Sequence, residues 1–197
     1  MSADAGIILA SGSRYRGELL RRLLPAFEQC APGVDEAPLP REAPAARAMR
    51  LAAAKAQAAA SAAGAAIVIG ADQVAALDGV LLHKPGDAAA ACAQLALCSA
   101  RAVDFHTGLC VLDTRGADVV RSIHLDTTRV RFRPLDADTI ARYVAREQPL
   151  DCAGSFKCEG LGIALFEAID SSDPTGLIGL PLIALARLLR DHGIEIP

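Results

Sequence analysis

The sequence predicts a mixed α/β fold, on three observations. Short apolar runs that end in small residues, at Gly6–Ala10 and at 66–70, read as buried strands and alternate with stretches of helical periodicity. Residues 103–113 and 119–133 carry strand-like patches around a turn at Arg115-Gly116, which suggests an antiparallel pair. An amphipathic stretch from Pro181 to Arg190, with Gly193 just past its end, closes the chain as a helix. Mixing βα units with an antiparallel middle section excludes a plain doubly wound sheet and points to an α/β (α+β) arrangement with a cleft. The 197 residues are read as one domain, 1–197, formed by two lobes around that cleft.

The elements follow in order. After Gly6–Ala10 comes the turn Ser11-Gly12-Ser13, and Tyr15, Leu19, Leu20, Leu23 and Leu24 then repeat at helical spacing up to Pro25. The proline-rich segment Cys30 to Pro44 reads as loop with short extended pieces. An Ala-rich helix spans roughly Ala45 to Ala63 and stops at Gly64. The strand at 66–70 runs into Ala71-Asp72-Gln73-Val74, and Asp78-Gly79 supplies a hairpin turn. Asp87 caps a helix through about Leu97, and Asp136 caps another with Ile140, Tyr143 and Val144 on one face. Ile163 to Ile169 reads as a strand.

Composition narrows the function. With 52% hydrophobic residues the chain is built to fold. Its net charge of −3 lacks the basic footprint of a duplex nucleic-acid binder, so anion binding must come from a few local cations. The cysteines at 30, 92, 98, 110, 152 and 158 contain no C-x-x-C pair, and no His completes a zinc pattern. The opening MSADAGIILASGS has no basic region and only a short apolar stretch, unlike a signal peptide, and no apolar run is long enough to span a bilayer. A cytoplasmic protein without a membrane partner is expected.

Four constellations carry possible chemistry. In the first, Ser11, Gly12, Ser13, Arg14 and Arg16 crowd a strand–turn–helix, where free N–H groups, the helix dipole and a forked cation suit a phosphate. The plain alternative is a Ser-capped helix with two solvated arginines; no Walker loop is present. The second is Asp72, a carboxylate at the end of a buried strand, where α/β sites place bases or metal ligands; a turn Asp bonding its own backbone is the common alternative. The third is the set Glu36, Lys55 and Lys84. Lys55 is the only charge between Leu51 and Ala63, and it either snorkels to solvent or points into an anionic site. Cations for a polyphosphate and carboxylates for a metal and a base are what phosphoanhydride hydrolysis requires. The fourth, Ala153 to Gly162, packs three glycines around Lys157 and Glu159, either as a ligand-approaching loop or as a pair of structural turns.

Taken in order, these pieces resemble the Maf family of nucleotide pyrophosphatases. Ile8-Leu9-Ala10-Ser11-Gly12-Ser13 with Arg16 is similar to its opening signature; Val34-Asp35-Glu36, the Lys55 helix, Gly70-Ala71-Asp72-Gln73-Val74, Lys84-Pro85, Thr107-Gly108-Leu109 and Gly179-Leu180-Pro181 follow. The resemblance covers nearly the whole chain. It implies an elongated central mixed sheet with flanking helices and a deep substrate cleft, a divalent metal cofactor (Mg²⁺ or Mn²⁺), a homodimer, and hydrolysis between the α- and β-phosphates of a nucleotide. It assigns Asp72 as the acid/base carboxylate, Glu36 and Asp72 to the metal, and Ser11, Arg16, Lys55 and Lys84 to the triphosphate. Gln73 falls beside the base or sugar.

The run Asp151 to Gly160 resembles the branch acting on 7-methyl-GTP, whereas the dTTP/UTP branch carries a Gln near the position of Glu159. The chemistry agrees: N7-methylguanine is cationic and stacks on an aromatic face, for about 0.5–2 kcal/mol, and a carboxylate accepts from guanine N1–H and its amino group. Tyr15 and Glu159 are the residues expected in those two roles. Departures from the pattern are Tyr15 where Trp is usual, Arg14 for Pro, Ala54 for Glu, and Ser99-Ala100 for Ser-Gly. The alternatives are a dTTP, UTP or other modified-nucleotide pyrophosphatase, and a nucleotide-binding regulator of septum formation.

Overall fold

Strand β1, Gly6–Ala10, lies between two parallel neighbours, β2 at Glu28–Cys30 and β3 at Ala66–Leu77. The computed structural model of the protein describes residues 6–197, so the first five residues of the opening read against a signal peptide lie outside the described residues. The sheet has seven strands in the order β2-β1-β3-β5-β6-β7, with β4 (Val80–Leu82) paired to β3. Strands β5, Ala102–Asp113, and β6, Val120–Phe132, are joined by residues 114–119, too few for the crossover that a parallel pair needs. Strand β7, Phe166–Asp170, runs antiparallel to the end of β6. The helices are α1 (Arg14–Leu20), α2 (Pro44–Ala62), α3 (Ala88–Cys98), α4 (Ala137–Glu147) and α5 (Leu182–Asp191). The fold is the mixed α/β arrangement expected, and the chain forms two compact units.

The first unit comprises the residues through Asp72 together with Thr107–Asp126 and Asp173–Pro197. Strand side chains alternate between faces, and the two faces have different covers. One presents Leu9, Ile67, Ile69, Leu109 and Val111 to leucines of α1 and α5, among them Leu19, Leu20, Leu185 and Leu189, all essentially fully buried. Each such leucine stabilises the unit by about 2 kcal/mol. The other face presents Ala10, Val68, Cys110 and Leu112 to the alanine stripe Ala52, Ala56 and Ala59 of α2. Small residues are required here because the helix backbone lies directly on the sheet. A Cβ at Gly70 would collide with the Ala52 carbonyl and stand 2.7 Å from the Ala56 nitrogen, and one at Gly108 would meet the Ala48 carbonyl. The Ala-richness of α2 is therefore a packing requirement of this interface.

The second unit comprises Gln73–His106 and Thr127–Ser172. Asp78 and Gly79 turn β3 into β4 with φ of 50° and 81°, the positive values a tight hairpin needs. Asp87 and Asp136 cap α3 and α4, accepting from the Ala90 and Thr139 backbone N–H groups. Phe105, Phe132, Phe156 and Phe166 pack edge to face, with centroids 4.7–5.7 Å apart. The stretch read as a strand from Ile163 begins as one only at Phe166; Leu161–Leu165 is a 3-10 turn. The chain entering it is held in a turn, where the Gly160 and Gly162 N–H groups both donate to the Lys157 carbonyl, at 3.2 and 3.0 Å, and a Cβ at Gly162 would strike the Lys157 backbone. All six cysteines are free thiols; Cys98 and Cys110 are buried, and Cys30 is exposed. No helix of the described residues is long and apolar enough to cross a membrane.

Candidate active site

Strand alternation decides where Asp72 points. Val68 and Gly70 face α2, so Asp72, two residues further, faces it as well. On that helix Lys55 lies three residues past Ala52 and four past Leu51, both fully buried, so its side chain leaves toward the sheet. The side chain is only 12% exposed, and its ammonium meets Asp72 Oδ1 at 2.6 Å and Glu36 Oε1 at 2.7 Å. Lys55 thus turns into an acidic site and does not snorkel to solvent. Asp72 is 7% exposed and paired across the sheet–helix interface, so it is no self-satisfied turn residue.

Glu36 comes from the proline-rich loop, which α2 holds in place. Arg47 donates to the Glu36 carbonyl at 2.5 Å and Arg50 to the Ala37 carbonyl at 3.1 Å. Arg50 also forks onto the Glu42 carboxylate at 2.5 and 2.8 Å, which holds Glu42 down to about 2. These arginines went unnoticed in the sequence because they read as the solvated start of a helix.

The Ser11–Arg16 turn completes the first unit's cluster. Ser13 caps α1 by accepting from the Arg16 N–H at 3.4 Å. The Arg16 side chain doubles back, donating to Ser11 Oγ at 3.1 Å and to the Gly179 carbonyl at 2.8 Å. Burial is the main influence on its guanidinium and lowers its pKa, while the negative charges of Asp72 and Glu36 act in the opposite direction. Arg16 is therefore within electrostatic reach of both carboxylates. Gln29, on β2, donates to the Ser11 and Ser13 carbonyls at 2.7 and 3.0 Å and clamps the turn from below. A Cβ at Gly17 would stand 2.5 Å from the Gln29 amide oxygen, so a larger residue there would displace the clamp. A lone Gln in a three-residue polar strand gave no sequence signal.

Tyr15 is half-buried, and its ring carries the Arg14 guanidinium 4.7 Å from the centroid, with Arg14 also donating to the Tyr15 hydroxyl. The ring already accommodates a cation on one face.

The remaining expected residues belong to the second unit. Gln73 follows Asp72 along β3. Lys84 sits in a loop fixed at both ends: Gln94 donates to the His83 carbonyl at 3.0 Å and Gly86 to the Leu150 carbonyl at 3.0 Å. Gln94 also bonds the fully buried Ser155 at 2.6 Å. In the glycine-rich run a Cβ at Gly154 would press on Phe105, and one at Gly160 on the movable Glu147 carboxylate. Lys157 caps α4 through the Glu147 carbonyl at 2.7 Å, and its N–H donates to the Tyr143 hydroxyl at 3.0 Å. Glu159 is exposed.

Two carboxylates that touch one ammonium nitrogen form an oxygen donor set of the kind hard divalent cations take. Among the described residues no group of three or more His, Cys, Asp or Glu side chains could hold a metal. A divalent cation held by these two carboxylates would have to draw its other ligands from water and substrate phosphate.

Comparison with known proteins adds the lineage. A family profile described as Maf-like protein matches residues 6–192. A protein of Xanthomonas campestris pv. campestris (strain 8004) named 7-methyl-GTP pyrophosphatase is 54% identical over 191 residues, covering 97% of this chain and 98% of its own. Proteins of the same name from Burkholderia pseudomallei (strain 1710b) and Aromatoleum aromaticum are 56% and 50% identical, over 96% and 97% of this chain and 89% and 97% of theirs.

Proposed function

The chain belongs to the Maf-like protein family, and from that premise we propose that it hydrolyses 7-methyl-GTP to 7-methyl-GMP and diphosphate. The carrying observation is the buried Lys55 ammonium set between Asp72 and Glu36 with Arg16 in electrostatic reach. The near full-length relatives named for that substrate support the choice of nucleotide.

In this reading water attacks the α-phosphorus, Asp72 takes its proton, and the bond from the α-phosphorus to the bridging oxygen breaks to release diphosphate. Lys55 holds one Asp72 oxygen and so fixes the plane of the base. Arg16 and Ser11 bind phosphate oxygens, the guanidinium by its fork and the hydroxyl as donor. Lys55 and Arg16 balance Asp72 and Glu36, so an arriving triphosphate brings uncompensated negative charge. A divalent cation, Mg²⁺ or Mn²⁺, held by Glu36 and Asp72, would supply that compensation. Tyr15 is the proposed stacking partner for the cationic base. A homodimer and a cytoplasmic setting complete the proposal by family likeness.

The test is diphosphate release from 7-methyl-GTP, GTP, dTTP, UTP and CTP with Mg²⁺ or Mn²⁺, by wild type and Asp72→Asn. Preference for 7-methyl-GTP that collapses in the variant is expected. Preference for dTTP or UTP would overturn the substrate, and full activity in Asp72→Asn would overturn the base.

A further inference from the structure

Two motifs, Thr107-Gly108-Leu109 and Gly179-Leu180-Pro181, have no chemistry of their own in the proposed reaction, yet both lead to Arg16. Thr107 is fully buried on β5, and its hydroxyl donates to the Gly176 carbonyl at 2.9 Å. The same carbonyl accepts the Gly179 N–H at 2.9 Å and closes a tight turn. Gly179, at φ +114°, then presents its carbonyl to Arg16 Nε at 2.8 Å. A Cβ at Gly179 would stand 3.2 Å from that nitrogen, so the close approach favours glycine twice over.

The turn is also fixed at its base. Asp173, 3% exposed, accepts from the Thr175 N–H and hydroxyl and from the Ile183 N–H at 2.7 Å, while Thr175 Oγ1 accepts the Leu182 N–H at 2.8 Å. The turn is thereby tied to the start of α5. A guanidinium whose Nε is held on one side has its fork aimed on the other, and here Nη1 reaches Ser11.

We infer that Thr107 is a positioning residue for polyphosphate binding: through the Gly176–Gly179 turn it sets the direction of the Arg16 fork. This rests on the phosphate role given to Arg16 above. Nothing in the arrangement places Thr107 against substrate; it acts through another residue. Loss of one neutral hydrogen bond in such a relay corresponds to about fivefold in binding.

The test measures kcat and KM for 7-methyl-GTP in Thr107→Val, which keeps the shape and removes the hydroxyl, and in Thr107→Ser, which keeps the hydroxyl. Both are repeated in an Arg16→Lys background, with melting curves for every variant. The expected result is a KM raised about fivefold in Thr107→Val with little change in kcat, near wild-type values in Thr107→Ser, and no further rise when Val is added to Arg16→Lys. A lowered melting temperature with unchanged KM would overturn the inference, as would a KM effect that persists in full beside Arg16→Lys. Should Thr107→Val not fold, the pair Thr107→Ser and Thr107→Ala decides: a KM about fivefold higher in Ala than in Ser supports the relay, and equal values overturn it. Wild-type protein that hydrolyses no nucleotide would overturn the phosphate role of Arg16, and this inference with it.

Discussion

Replacing Lys55 by Met removes a charge from a pair that is almost wholly out of water. The Lys55 and Asp72 side chains are 12% and 10% exposed and their charged atoms stand 2.6 Å apart. At an effective dielectric of about 20 the attraction at that distance is roughly 6 kcal/mol, of which the desolvation of both groups offsets about half. Glu36, 57% exposed, adds less than about 1 kcal/mol. Lys55→Met is therefore expected to lower unfolding free energy by about 3 kcal/mol, since a buried carboxylate is left without its partner. For a chain of this size that corresponds to roughly 6–12 °C in melting temperature. Urea unfolding of Lys55→Met, Asp72→Asn and the double variant forms the assay. The double variant is expected to be more stable than Lys55→Met alone, because the stranded charge is gone. Single-variant losses that simply add would refute the coupling and the geometry behind it.

Two further perturbations test the packing and the ion pairing of the first unit. Gly70→Ala puts a methyl group into the α2 backbone and is expected to cost about 1–3 kcal/mol in thermal or urea unfolding, with activity lost as Lys55 moves; a neutral result would contradict the direct helix–sheet contact. Asp113 is held down to about 2, chiefly by the forked Arg115 bonds at 2.7 and 2.8 Å. Because its folded pKa is depressed, it stabilises the protein above the ordinary carboxylate range, and that contribution is lost as pH falls from about 4 toward 2. Screening at this partly open site reduces it to about 1 kcal/mol. Arg115→Gln should flatten the fall of unfolding free energy between about pH 4 and pH 2, and an unchanged acid slope would contradict the assignment.

Legibility from sequence followed the range of the interaction. The Asp87 and Asp136 caps, the Asp78-Gly79 hairpin and the buried run at 66–70 are signalled within a few residues, and each stands where it was expected. Asp72, Lys55, Glu36, Arg16 and Ser11 were found as separate oddities. Their convergence depends on strand alternation and on glycines at 70 and 108 that let α2 approach, which a linear reading does not reveal. Strand β2 was missed because Glu28-Gln29-Cys30 is short, polar and exposed, and it pairs only by lying beside β1. The Gln29 clamp and the Thr107–Gly176 bond went with it: their partners lie 16 to 69 residues away. In the glycine-rich run Gly154 packs on Phe105, Gly160 lies against Glu147, Gly162 lies on the Lys157 backbone and Lys157 caps α4, contacts that spacing along the chain does not announce.

Attack of water on the α-phosphorus, with Asp72 as base, leaves its mark in the products. The most direct test follows 7-methyl-GTP hydrolysis in ¹⁸O-enriched water by phosphorus NMR, with wild type and Asp72→Asn. Expected are one labelled oxygen in 7-methyl-GMP, unlabelled diphosphate, and a rate that falls by about 10²-fold or more in the variant. Label in the diphosphate, release of orthophosphate, or an undiminished rate in Asp72→Asn would contradict it.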